Sequence, residues 1–336
     1  MNPNVIPIKY DLSIKVDLDQ EQFEGTVEIV VEIKETINYV ILHAAKSLNI
    51  TDSKLSITES KTDLEIKQTF AYESNEFWVI EMKESIIVEN QKPLNITLNF
   101  EFNSKLDTDM TGFYLSKYND NNGNVKKLAA TQFQDTHARQ AFPCFDEPSF
   151  KSIFHVTIEH HANYTAISNT KIKSNKVLAD ETEWTKTEFE ETPKMVTYLL
   201  AFIISDFDCK QNETHSLNND LINVDICSSP PEIDNTAYSL TKAPDIIENF
   251  QKRLNYPYQL DKMHLVALPD FNAGAMENWG LLTFRETALL WNNLTSSAAD
   301  KMSVVAVVAH EIAHMVIFFS LLSFKLLINY CFLFFN

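Results

Sequence analysis

Tyr10–Val16 reads YDLSIKV and Thr26–Ile33 reads TVEIVVEI. Both alternate apolar with polar residues, so an extended chain there buries one face and wets the other. Leu64–Ala71, Glu76–Met82 and Leu94–Phe102 (LNITLNFEF) repeat the pattern, and Asp120–Gly123 (DNNG) marks a turn. A second group covers Phe154–Glu159, Tyr164–Ser168, Trp184–Phe189 and Met195–Phe207. Period-two runs of β-branched and aromatic residues, broken by polar turns, predict a large antiparallel sandwich or saddle-shaped sheet.

The pattern changes near Ser205–Asp208. A polar run around Glu213–Asp220 and the pair Pro230, Pro231 lie just beyond. Ala237–Leu254 has helical spacing, and His264–Leu268 is a short apolar strand. Asp300–His314 (DKMSVVAVVAHEIAH) reads as a helix, with Ser297-Ala-Ala-Asp300 as a capping box at its start. The expected fold class is therefore α+β and multidomain. A β domain covers 1–205, an α+β domain covers 206–315, and an apolar tail covers 316–336.

Length and composition agree with this division. A chain of 336 residues is long enough for two domains and a substantial core. With 45% hydrophobic and 22% charged residues it is not a disordered chain. The net charge of −18 disfavours nucleic acid as a partner, because phosphates require a basic surface. The four cysteines, at 144, 209, 227 and 331, contain no CxxC pair, which argues against a cysteine zinc site or redox motif. Reduced thiols are the expectation in a chain of this size. The opening MNPNVIPIKYDL lacks the apolar core of a signal peptide, which predicts a cytoplasmic protein.

Two motifs carry chemistry. The first is HEIAH, residues 310–314. Positions i and i+4 share one helix face, so the imidazoles of His310 and His314 can hold one metal ion. Glu311 flanks that face and suits a general base that takes a proton from water and passes one to a leaving amine. Zinc fits two neutral imidazoles plus a carboxylate. The second motif is GAMEN, Gly274 to Asn278, followed by Trp279-Gly280. It holds two of the chain's five glycines, a place for close backbone approach to a ligand. An extended segment there can pair with a peptide by strand addition, and Glu277 can pair with a cationic amine.

GAMENWG ahead of HEIAH resembles the zinc aminopeptidases of the aminopeptidase N and puromycin-sensitive aminopeptidase family, which are gluzincins. The likeness extends to Pro7–Leu12 (PIKYDL), Phe23–Val27 (FEGTV), Thr131–Arg139 (TQFQDTHAR), Phe142–Pro148 (FPCFDEP), Thr197–Phe202 (TYLLAF) and Leu282–Thr287 (LTFRET). The resemblance implies an N-terminal β saddle and the start of a thermolysin-like catalytic domain. It implies His310 and His314 as zinc ligands, one zinc per complete chain, and Glu311 as the catalytic base. It further implies that Glu277 recognises the free α-amine of a peptide substrate, which restricts cleavage to the N-terminal residue. Gly274, Ala275, Met276 and Asn278 would line the substrate, and Gln134 would reach the first side-chain pocket or the amine. A glutamine at 134 points to broad neutral or basic specificity. Arg139 and Asp146 read as structural.

The pattern then breaks. The family's third zinc ligand is a glutamate in HExxH-x18-E, and that count lands on Leu333. Residues 315–336 contain no Asp, Glu or His, and Cys331 is a poor substitute ligand. The family's later tyrosine and C-terminal helical domain are also missing. The expectation is a member truncated before its third ligand, with a catalytically inactive fragment or a peptide-binding paralogue as the alternative. An endopeptidase is disfavoured by GAMEN. The tail has 17 apolar residues among its last 22 and one charge, Lys325. It meets the rule for a transmembrane helix, which would make the protein membrane-associated. A cut-off buried helix is a further reading. The favoured one is a translated non-coding stretch, because the family likeness stops at Met315.

Overall fold

The computed structural model describes residues 2–89, 92–179 and 183–317. The chain packs as two compact units. Of the described residues, the first holds those within 2–115, 128–168 and 172–205, and the second holds 116–127, 169–171 and 206–317.

Among the described residues, fourteen strands lie before residue 206. They are β1 (Val5–Asp17), β2 (Gln22–Ile33), β3 (Ile37–His43), β4 (Asn49–Ile57), β5 (Ile66–Tyr72), β6 (Phe77–Ile86) and β7 (Leu94–Lys105). Then come β8 (Gly112–Asn119), β9 (Val125–Gln132), β10 (Ile153–His161), β11 (Thr165–Ser168), β12 (Ile172–Val177), β13 (Trp184–Phe189) and β14 (Phe202–Ser205). The largest sheet has the order β12-β13-β10-β1-β2-β7-β4. All its pairs are antiparallel except β1 with β10. Two smaller sheets, β11-β14-β9-β8 and β3-β6-β5, complete the group.

Alternation explains this sheet. Tyr10, Leu12, Ile14 and Val16 of β1 are all buried. Leu12 lies opposite Val27, which lies opposite Phe100, and Tyr10, Ile29 and Leu98 form the next row. Aromatic rings seal the core, with Phe133 edge-on to both Phe142 and Phe202. Arg139 and Asp146 are buried in one polar knot. Arg139 Nε donates to Asp146 Oδ2 at 3.1 Å, and Thr197 Oγ1 donates to Asp146 Oδ1 at 2.7 Å. The Asp146 amide donates to His43 Nδ1, and burial beside Arg139 pushes His43 down to about 3. Over Met195–Phe207 only Phe202–Ser205 is a strand. A 3-10 turn at Thr197–Leu199 interrupts it, because Met195 is tied to Ser152 by a pair of backbone hydrogen bonds.

The second unit carries β15 (Asp208–His215), β16 (Leu221–Ser228), β17 (Lys262–Leu268), β18 (Ala275–Met276) and β19 (Leu281–Arg285). Its helices are α1 (Ala237–Leu254), α2 (Glu286–Leu289) and α3 (Ala298–Ile317). The sheet order is β15-β16-β17-β19-β18, with β16, β17 and β19 parallel. Pro244 inside α1 has no N–H for the carbonyl of Leu240. Asn212 Nδ2 of β15 donates to that carbonyl at 3.0 Å, which couples helix to sheet. The capping box forms as read: Asp300 N donates to Ser297 Oγ at 3.1 Å and Ser297 N donates to Asp300 Oδ2 at 2.7 Å.

One expectation is corrected. Cys209 and Cys227 form a disulfide. The polar run near 213 is part of a hairpin, and its register sets Cys209 directly opposite Cys227. Cys144 is free and buried. Among the described residues no helix is long and apolar enough to cross a membrane. The apolar tail readings, Leu333 and Cys331 fall outside the described residues.

Candidate metal and substrate site

The helix α3 presents Val304, Val308, Ile312, Met315 and Val316 to the core. This spacing fixes the rotation of the helix and leaves His310 and His314 half-buried on the neighbouring flank. Their Nε2 atoms stand 3.1 Å apart. Two nitrogens bound to one zinc at 2.0–2.1 Å and a tetrahedral angle would stand about 3.3 Å apart, so the pair fits that ion. Burial lowers both imidazoles, and for His310 the neighbouring His314 adds to it. Each is thereby favoured in the neutral form that binds metal.

Glu311 is 5% exposed and its Oε2 is buried without a hydrogen-bond partner among the described residues. Burial, with the charge of Glu277 second, pushes its carboxyl up to about 8. Glu277 is itself raised by burial, against its own backbone N–H and His310. His314 Nδ1 is likewise buried without a partner among the described residues. Ligand atoms of Glu277, Glu311 and His314 all lie within 4.8 Å of one another. Such a cluster of buried acceptors is costly unless a cation or proton neutralises it.

The 274–278 segment forms the outer edge of the second unit's sheet. The short strand β18 pairs with β19 through Ala275 opposite Phe284 and Met276 opposite Thr283. Its other side carries no strand of the described residues. Gly274 is exposed, Met276 is buried, and Asn278 donates through Nδ2 to Thr283 Oγ1 at 3.1 Å. Asn278 Oδ1 has no partner among the described residues. The structure thus gathers Glu277, Glu311, His310 and His314, with Gly274–Met276 as the adjoining edge. Gln134 belongs to the first unit, where it is exposed just beyond β9.

Residues 6–199 match the peptidase M1 N-terminal domain, and residues 238–317 match the peptidase family M1 domain. The chain belongs to the M1 peptidase family. Among M1 relatives, it is 38% identical to aminopeptidase N of Rattus norvegicus over 322 residues. It is 39% identical to aminopeptidase N of Homo sapiens over 299 residues, and 36% identical to aminopeptidase A of Gloydius brevicauda over 314. These alignments cover 92%, 87% and 93% of this chain but 32%, 30% and 32% of the relatives. The chain thus spans about a third of the length of the M1 relatives it matches.

Several residues that shape this M1 site were given no role by the sequence. Arg285 holds the entry to the edge segment, donating to the carbonyls of Phe271 and Asn272 at 3.2 and 2.6 Å. Lys262, 3% exposed, donates to the Gly280 carbonyl at 2.8 Å. His264 Nε2 meets Asp225 Oδ2 at 2.9 Å, and burial lowers this imidazole to about 4.

Proposed function

We propose that the protein is a zinc metallo-aminopeptidase that removes the N-terminal residue of peptides. The observation that carries this reading is the convergence of Glu277 with Glu311 and His314 beside His310. His310 and His314 hold zinc, which when bound supplies Lewis-acid activation of water and of the scissile carbonyl. Glu311 accepts the proton of the attacking water at a carboxylate oxygen and returns one to the leaving amine. Glu277 pairs with the substrate's α-ammonium, and that pairing sets the cleaved bond one residue from the N-terminus. Gly274, Ala275 and Met276 hold the substrate backbone along the free side of β18. Asn278 orients the turn that follows.

A second reading is a chain that binds peptide amines without turning them over. It is favoured by the absence of Asp, Glu and His from residues 315–336, where the family resemblance places a third ligand. One experiment separates the two. The chain is loaded with zinc, its metal content is measured, and hydrolysis of an aminoacyl amide is followed in wild type and Glu311→Gln. Stoichiometric zinc with turnover lost in Glu311→Gln supports the enzyme. Free-amine binding without turnover supports the second reading. Neither binding nor turnover defeats both.

A further inference from the structure

We infer that Lys262 and Asn169 are positioning residues for substrate binding, acting from behind the edge segment to fix its register and the aim of Glu277. The inference rests on the function proposed above. The strand β18 is two residues long and is held to β19 by two register pairs. So short a ladder does not set its own register. A slip of one residue would turn Glu277 to the opposite face. The register must therefore come from the two ends.

At the entry the Arg285 amide donates to the Gly274 carbonyl at 3.0 Å, and the Arg285 guanidinium holds Phe271 and Asn272. At the exit the Gly280 carbonyl receives two donors, Lys262 Nζ at 2.8 Å and the His264 amide at 3.0 Å. One residue earlier, Asn169 Nδ2 donates to the Trp279 carbonyl at 2.9 Å. Asn169 is 1% exposed. Gly280 has φ +79°, and a Cβ there would stand 2.3 Å from the Asn169 carbonyl oxygen. Only glycine permits that approach. The backbone at 279–280 is thus seated against Asn169 on one side and the Lys262 ammonium on another. Glu277 lies two residues before Trp279, so this seat determines where its carboxylate points.

A lysine buried at a strand start is costly to keep. Its placement on a carbonyl of the substrate segment gives that cost a function. Tyr258 Oη fixes the same residue by donating to the Lys262 carbonyl at 3.1 Å.

The test uses the full chain and two variants. Lys262→Met keeps the apolar stem and removes the ammonium; Asn169→Leu lies outside the sheet and removes the amide donor. Amide hydrogen exchange is read over residues 274–280, with β16 and α1 as internal controls. Binding of trialanine is compared with N-acetyl-trialanine. The expected result is exchange at least tenfold faster over 274–280 in each variant, unchanged controls, and a free-amine preference at least fivefold smaller. Unchanged exchange over 274–280 in both variants overturns the inference. So does a rise spread equally over the whole sheet, which marks a merely structural role. A wild-type chain that binds both peptides equally counts against the amine-recognition reading of Glu277 instead, and the exchange comparison still decides whether the two residues seat the segment.

Discussion

The Nε2 atoms of His310 and His314 face each other at 3.1 Å across one turn of α3. Successive turns of a helix are about 5.4 Å apart, so both rings lean toward one point. Two lone pairs cannot occupy that point without a proton or a cation between them. The arrangement is a receptor for one metal ion, or else one neutral ring donates its Nε2–H to the other.

Removing either imidazole should therefore remove that receptor. His310→Ala and His314→Ala are each expected to weaken zinc binding at least tenfold, while Glu311→Gln leaves it within about twofold. Titration calorimetry with zinc alone measures all three. Equal affinities in wild type and both alanine variants would contradict the assignment.

Glu277 sits beside His310 and His314, the proposed metal ligands, and its proposed partner is the substrate amine. Glu277→Gln should abolish the preference for free-amine over acetylated peptide and leave zinc content unchanged. A parallel loss of zinc would make Glu277 a ligand rather than an amine receptor.

Lys262 gives the fold a pH dependence in the alkaline range. Burial pulls its ammonium down to about 7, against the opposing charges of Asp225 and Asp261. In the unfolded chain a lysine titrates near 10.4. Between these values the unfolded chain holds a proton that the folded chain has released, so stability rises with pH. Raising pH from 7 to 9 should add about 2 kcal/mol to unfolding free energy from this residue. Urea denaturation of wild type and Lys262→Met at the two pH values isolates the effect, because the methionine variant lacks it. Above pH 10 the raised phenols of Tyr118 and Tyr258 act in the opposite sense.

The Cys209–Cys227 bridge joins directly opposed residues of a hairpin and closes a separation of 18. Loop-closure arguments assign such a link about 3 kcal/mol. Thiol alkylation of the unfolded chain, with and without reductant, should differ by two labels. Such a bridge persists in oxidising compartments, so its recovery from native protein would weigh against the cytoplasmic expectation. Equal labelling would show both thiols reduced.

Much of the fold was legible because its cause is local. Tyr10, Leu12, Ile14 and Val16 are two apart and all buried, and YDLSIKV states this outright. The HEIAH pair was legible because helical periodicity alone sets it on one face. What was hidden depends on partners distant in the chain. Cys209 and Cys227 meet only once a hairpin folds. The short strands β3, β4 and β12 lack clean alternation and take their form from neighbours in their sheets. Lys262 opens an apolar strand, where a lysine ordinarily points to solvent, and its carbonyl partner lies 18 positions away. Asn169 is farther still, at 110 positions from Trp279. Backbone carbonyls carry no sequence signature, so residues that act by gripping them stay invisible until the chain is folded.

The second unit borrows Ser116–Lys127 and Asn169–Lys171 from within the span of the first. No single cut therefore separates the two. A piece beginning at Asp206 would keep both histidines, Glu311 and Glu277. It would lose the Ser116 hydroxyl that donates to Asp270 at 2.8 Å, and the Asn169 amide that holds Trp279. Dissecting this protein at its apparent boundary would yield an excised site whose residues are all present and whose supports have been left behind.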